Sequence, residues 1–183
     1  MKAQAPPTPT PTRLWPERPW REDVGLYREL LDDPAVAATL RPGALGAART
    51  LGHTGAILTA DIEHWQRESF GPWLFFDTAT GMFVGRCGLR RASVLGRSSV
   101  ELLYAVRSGL WGAGYATEMA MLAMVHARRL GLEDVVGFTA VTNRASRRVL
   151  EKVGMRYETT FEHAGLPHWL GRSHLHQQTR SIV

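Results

Sequence analysis

Between residues 99 and 116 the hydrophobic period of the chain changes across a cluster of glycines, and few folds accommodate what lies on either side. From Ser99 to Val106 the residues Val100, Leu102, Tyr104 and Val106 recur at period two, the spacing of a half-buried strand. Gly109, Gly112 and Gly114 follow, and from about Ala113 to Arg129 the pattern is helical. A strand at Val135 to Val141 and a helix at Asn143 to Lys152 come next, with Gly154 where a left-handed C-cap would stop that helix. Upstream, Trp73 to Phe76, a polar turn from Asp77 to Gly81, and Met82 to Leu89 read as a hairpin, and Ser99 to Val106 adds a third antiparallel strand after a turn at Val94 to Ser98. Residues 22–31 form a helix ended by Asp33-Pro34, and Ala56 to Glu68 a second one closed by Gly71-Pro72. Arg13 to Arg18 is a strand candidate interrupted by Pro16, residues 41–55 with four Gly and a Pro read as loop, and Met155 to Val183 is split by Gly165-Leu-Pro167 into two strands. Antiparallel strands followed by strand, helix, strand, helix, strand predict a three-layer α/β domain with a mixed sheet.

A length of 183 residues suits one domain with room for a core, here 13–183 behind a Pro/Thr-rich tail at 1–12 that reads as disordered. With 44% apolar and 21% charged residues, disorder of the whole chain is excluded. The 22 basic residues outnumber 17 acidic ones, and 20 of the 22 are Arg, a residue suited to phosphate or carboxylate partners or to a solvated basic surface. No aromatic-basic motif accompanies the charge, so nucleic acid is not expected as a partner. The single cysteine, Cys87, excludes a disulfide framework and a Cys-based zinc cluster, which fits a reducing cytoplasm. The longest apolar run, Met119 to Val125, has seven residues against the ~20 that a membrane span needs, so a soluble, cytoplasmic protein is expected.

The first chemical signal is Gly109-Leu-Trp111-Gly112-Ala113-Gly114-Tyr115-Ala116. Three glycines where a strand gives way to a helix let several backbone N–H groups converge on one point with the helix dipole behind them, the make-up of a phosphate site. A tight turn that only needs glycines is the alternative. A P-loop requires a Gly-Lys pair that is missing here, and a dinucleotide fingerprint fails because its third small position falls on Thr117.

Glu101-Leu-Leu-Tyr-Ala-Val106, Trp111-Gly-Ala-Gly-Tyr-Ala-Thr-Glu118 and Asn143-Arg-Ala-Ser146-Arg-Arg-Val-Leu-Glu-Lys-Val-Gly-Met155 together resemble the GNAT superfamily of acyl-CoA-dependent N-acetyltransferases, and within it the RimJ/RimL-like branch that acetylates protein N-termini and other amines. The resemblance runs from about Arg13 to Arg180. It implies a twisted mixed sheet of about seven strands flanked by about four helices, acetyl-CoA lodged where Ser99–Val106 and Val135–Val141 splay apart, and no metal. The implied acceptor is a primary amine on a peptide N-terminus, including that of a ribosomal protein, or on a small molecule; the branch also leaves room for a homodimer. A catalytically silent acyl-CoA sensor is the alternative from another class.

Acyl transfer to an amine needs the neutral amine, and an alkyl amine with a pKa of roughly 10 is protonated at neutral pH. Glu101, on the opposite strand face from Val100, Leu102 and Tyr104, is the expected proton acceptor, weighed against an ordinary exposed strand Glu. Glu118 and the late histidines are the other candidates. The resemblance further implies backbone contacts to the pantetheine and thioester from Leu103, Tyr104, Ala105 and Val106, and a phosphate cradle over Gly112, Ala113, Gly114, Tyr115, Ala116 and Thr117. Trp111 takes the place of the family's usual Arg or Gln. Leu150 stands where many members carry a Tyr acid, leaving Ser146 as the proton donor to the thiolate, or as a residue that only satisfies the helix start. Asn143 is a cofactor contact or simply an N-cap. Arg147 and Arg148 reach a 3′-phosphate or form a solvated face. Trp65, Phe70, Trp73 and His174 are candidates for the acceptor pocket, His168 and His176 edge it or cover the sheet, and Met119, Met121 and Met124 have the spacing of core residues.

Overall fold

The computed structural model describes residues 12–40 and 51–175; most of the Pro/Thr-rich tail, residues 41–50 of the expected loop, and His176 lie outside them. Seven strands form one mixed sheet: β1 (Leu14–Glu17), β2 (Pro72–Asp77), β3 (Phe83–Val94), β4 (Arg97–Val106), β5 (Asp134–Ala140), β6 (Arg156–His163) and β7 (Leu166–His174), in the order β1-β2-β3-β4-β5-β7-β6. Every neighbouring pair is antiparallel except β4 and β5, which run parallel and pair at Glu101 and Val136 alone. The β3–β4 hairpin is longer than its pattern suggests. Its turn is only Leu95-Gly96, both at positive φ (52° and 74°), the two-residue geometry whose twist matches that of the flanking strands. Pro16 does not end β1, because β1 is an edge strand where a missing N–H is tolerated.

Five helices flank the sheet, one more than expected: α1 (Val24–Leu31), α2 (Pro34–Leu40), α3 (Leu51–Glu68), α4 (Tyr115–Arg129) and α5 (Arg144–Lys152). Residues 51–55, read as loop, belong to α3. The additional helix is α2. Pro34 closes α1 but suits the first position of a new helix, and the Asp33 carboxylate accepts from the N–H groups of Ala35 (2.8 Å) and Val36 (3.4 Å). None of the described helices is long and apolar enough to cross a membrane.

The two faces of the sheet carry separate cores. Cross-strand pairing puts Val100, Leu102 and Val106 of β4 with Cys87 and Leu89 of β3 on the face covered by α4 and α5, where they pack with Met119, Ala123, Met124 and Leu150. Met121 faces outward, against its expected place in the core. On the other face, Tyr27, Leu30 and Leu31 of α1, Val36 of α2 and Leu58 of α3 pack on Leu74, Phe83 and Ala105. At about 1.5–3 kcal/mol for each fully buried large aliphatic side chain, these two layers hold the helices against the sheet.

The position of α5 rests on Gly137 of β5. A Cβ there would lie 2.7 Å from Leu150 Cδ2 and 2.7 Å from Met155 Sδ, so α5 approaches the sheet only because the side chain is absent. Gly137→Ala should lower unfolding free energy in urea by about 1–3 kcal/mol, the cost of overpacking, whereas Gly25→Ala, with nothing near its Cβ, should not destabilise.

Candidate active site

β4 and β5 meet at Glu101 and Val136 and then diverge, so Leu102–Val106 and Gly137–Ala140 run on with no ladder between them. A cleft of about 870 Å³ opens in this gap. Its lining comes from both faces: Glu101 and Arg90 on the α1–α3 side, Tyr104, Ser146 and Asn143 on the α5 side, and residues 110–112 and 114–117 at one end. The edge of β4 that leaves β5 therefore offers backbone groups to whatever occupies the cleft.

The glycine loop turns through left-handed backbone and leaves several of its N–H groups unengaged by the described residues. Gly112 and Gly114 have φ of 78° and 86°, and Gly114 is the N-cap of α4. Glu118 and Thr117 N–H close on Gly114 O, while no acceptor among the described residues takes the N–H groups of Gly112, Gly114, Tyr115 and Ala116. The Tyr115 hydroxyl turns away to donate to Asp77 (3.0 Å), so only its backbone serves the cradle, and this donation holds the Asp77 carboxyl below its ordinary range. Trp111 adds no cation. Its indole Nε1 donates to Val106 O at 2.8 Å, which occupies one of the carbonyls expected to meet the pantetheine. Arg13, from the other end of the chain, clamps the loop from outside by bonding Ala113 O, ion-pairing with Glu118 at 2.8 Å and lying 4.0 Å over the Tyr115 ring. That pairing assigns Glu118 to the clamp. The dual reading of the α5 arginines also resolves: Arg148 lines the cleft, while Arg147 bonds Glu151 (2.8 Å) and stacks on Trp169.

Glu101 is 6% exposed, and its partner is Arg90, directly opposite on β3. Arg90 Nε and a terminal nitrogen both reach Glu101 Oε2 at 2.9 Å, while Oε1 takes no protein hydrogen bond among the described residues. The Arg90 side chain is 46% exposed, so the pair is open to solvent on one side. A second pair, Arg86 with Asp61 of α3, is fully internal and also receives the Tyr27 hydroxyl. Burial opposes the Arg86 charge, but Asp61 more than offsets this and holds the guanidinium above its ordinary range; burial likewise pushes the Tyr27 hydroxyl up. The Asp61–Arg86–Tyr27 network ties α1 and α3 to β3 and gives the cleft a fixed wall.

On the α5 side, Asn143 caps the helix by accepting from Ser146 N–H at 3.1 Å. Tyr104, anticipated for its backbone, also contributes its side chain: its hydroxyl donates to Ser146 O at 2.8 Å and lies 2.8 Å from Ser146 Oγ. The Ser146 hydroxyl is therefore held by a tyrosine from β4, and burial raises that tyrosine's pKa. Leu150 is buried in the core, 1% exposed.

The expected acceptor-pocket residues are elsewhere. Trp65, whose indole donates to Pro72 O, packs with Trp73, Trp73 also lies against His126 of α4, and Phe70 is in the same core as α4; none of the three lines the cleft. His174 is exposed at the end of β7, opposite Asp134. In their place the cleft receives Phe138, His163 and His168 from β5, β6 and β7, with Phe161 beside them. Phe138, Phe161, His163, Arg13, Arg90 and the Tyr104 side chain are the residues here that sequence reading missed; His168, expected at the pocket edge or on the sheet, lines the cleft. Only Arg90 carries a readable signal, since a two-residue turn at Leu95-Gly96 puts it opposite Glu101.

Removing one partner of the internal pair should be far costlier than removing one of the open pair. Asp61→Asn strands the Arg86 charge and should cost about 3–5 kcal/mol in urea unfolding, whereas Arg90→Met should cost under about 1 kcal/mol.

Comparison with known proteins agrees with this geometry. The profile of the acetyltransferase (GNAT) domain family matches residues 17–156. The uncharacterized protein YkkB of Bacillus subtilis is 33% identical over 91 residues, covering 48% of this chain and 52% of that protein, so the chain spans about half the length of this curated relative. Among solved structures, an acetyltransferase from Agrobacterium tumefaciens superimposes with a TM-score of 0.75 at 22% identity, covering 94% of this chain and 97% of that one. The ribosomal L7/L12 alpha-N-protein acetyltransferase RimL in complex with coenzyme A gives 0.73 at 18% identity, covering 91% and 97%. A seven-stranded mixed sheet, a parallel pair that parts over a cleft, and a family profile over most of its length together identify this chain as a member of the GNAT acetyltransferase family.

Proposed function

We propose that this protein is an acetyl-CoA-dependent N-acetyltransferase of the RimJ/RimL-like kind, moving an acetyl group onto a primary amine by direct attack, with Glu101 as the proton acceptor. The observation that carries the reading is a matter of charge. All 17 Asp and Glu residues lie in the described segments, and Glu101 alone among them lines the cleft.

The residues present fit coenzyme A. Four free N–H groups at the start of α4 suit a pyrophosphate, Arg148 and Lys152 on the cleft wall suit a further phosphate, and the unpaired edge of β4 suits the amides of a pantetheine arm. When bound, acetyl-CoA supplies the thioester carbonyl that the amine attacks. Glu101 accepts a proton from the incoming ammonium at Oε1, directly or through a water, while Arg90 holds the other oxygen. The freed nitrogen lone pair forms the C–N bond to the carbonyl carbon, the nitrogen then gives up its second proton to solvent as the C–S bond breaks and the CoA thiolate leaves, and Glu101 returns its own proton to solvent. A backbone N–H of β4 in the Leu103–Val106 stretch donates to the carbonyl oxygen as negative charge grows on it. In this reading the Ser146 hydroxyl, tethered by Tyr104, donates the proton that the departing sulfur takes up, and solvent restores it. Cys87 is fully buried under α4, and burial pushes its thiol up, which favours direct transfer over a cysteine-bound acyl group.

Glu101→Gln should lower kcat about 10²- to 10⁴-fold, as for loss of a general base, with acetyl-CoA affinity and circular dichroism unchanged. Release of CoA thiol with a panel of primary amines, alongside titration calorimetry with acetyl-CoA, measures both. An unchanged rate would remove Glu101 from the mechanism; no turnover with any amine by a wild-type protein that still binds acetyl-CoA would point to a sensor.

A further inference from the structure

Resting on the reading above, we infer that the acceptor is a monocationic primary amine with an aromatic or bulky apolar body, and that Phe138, Phe161, His163 and His168 form the platform that receives this body. Register fixes where the platform lies. Val136 of β5 pairs with Glu101, and Phe138 follows two residues on, about 7 Å further along the strand on the same face of the sheet. Phe138 is opposite Leu170 in the β5–β7 ladder, His168 is opposite Ala140, and Phe161 of β6 is opposite His168, so all of these side chains share the face of Glu101 and Arg90. Their rings make a contiguous surface: Phe138 lies 5.6 Å from Phe161, 5.2 Å from His163 and 6.0 Å from His168, with His163 and His168 5.2 Å apart and edge to face. His168 is nearly buried and its Nδ1 is spent on Leu166 O at 2.9 Å, while Phe138 and Phe161 are half-buried and His163 is exposed. Leu31, Val36, Leu40 and Ile57 from α1, α2 and α3 also line the cleft and add apolar surface.

Charge sets the other half of the specificity. A polyamine carries several ammonium groups, and each would need a counter-charge or solvent once inside. The cleft offers the one carboxylate of Glu101, already shared with Arg90. The segments 1–11, 41–50 and 176–183 contain no Asp or Glu side chain. Besides Glu101, the charged side chains on the lining are Arg86, Arg90, Arg148 and Lys152, all cationic, so no second anionic side chain on it meets a second ammonium. An apolar pocket discriminates between substrates that do and do not fill it by about tenfold or more.

The test follows CoA-thiol release by the full-length protein with 2-phenylethylamine, a short peptide with N-terminal Phe, ethylamine and spermidine as acceptors. The inference expects kcat/KM for 2-phenylethylamine or for the peptide to exceed that for spermidine and for ethylamine by about tenfold or more, the better of the two telling a small-molecule acceptor from a peptide one. Phe138→Ala should shrink the ratio of 2-phenylethylamine to ethylamine about fivefold or more, mainly through KM. His163→Ala, at an exposed position, should shrink it in the same direction with the circular dichroism unchanged. Spermidine equal to or better than the aromatic amines, or a ratio that neither variant moves, would overturn the inference while leaving amine acetylation intact. Failure of every amine with acetyl-CoA still bound would overturn the acetyltransferase reading itself and this inference with it.

Discussion

β4 and β5 touch as parallel strands at one residue pair and then part, and nearly everything the site does depends on that divergence. A continuous ladder would have consumed the backbone groups of Leu102–Val106 and closed the path between the two faces of the sheet. Because the strands part, one cleft reaches both the glycine cradle and Ser146 on the α4–α5 side and Glu101 on the α1–α3 side. The divergence is maintained from outside the gap: β3 holds β4 through a ten-pair antiparallel register, β7 holds β5 through seven pairs, and α5 packs down on Gly137. Each diverging strand is thus anchored on its far side, which leaves the near edges free for a ligand.

The two carboxylate–guanidinium pairs of the cleft have different work to do because they differ in access to water. Arg86 and Asp61 are both nearly fully buried and, with Tyr27, satisfy one another, so the network is a rigid part of the wall. Arg90 is half exposed and engages only one oxygen of Glu101, so the other oxygen carries no protein hydrogen bond among the described residues. The same face carries the Phe138–His168 rings, so one carboxylate and one apolar surface lie side by side in the cleft. Loop and helix on the opposite face are organised by a longer-range device, Arg13 bridging Ala113 and Glu118 across about a hundred residues of sequence.

Much of this is legible in the sequence. Strand and helix periods locate most elements, Gly154 marks a left-handed position that the backbone adopts, the glycines at 112 and 114 mark the turn into α4, and Asn143 and Ser146 stand together at the start of α5. α2 was not foreseen, because Pro34 was read only as a terminator when it also opens a helix capped by Asp33. Trp65, Phe70 and Trp73 pack away from the cleft, because aromatic residues near a loop look alike in sequence whether they face a cleft or join a core.

Sequence by itself determined the local outcomes, namely which segments become strands or helices, where the chain can turn left-handed, and that Glu101 faces away from Tyr104, because these depend on neighbours within a few residues. Tertiary structure alone decided which charges meet. The pairing of Arg90 with Glu101, the burial of Asp61 against Arg86, the tether from Tyr104 to Ser146, and the gathering of Phe138, Phe161, His163 and His168 beside the carboxylate all depend on strand register and helix packing. Those are set by the summed burial of two apolar layers, a quantity that belongs to the whole sheet and to no single segment of the chain.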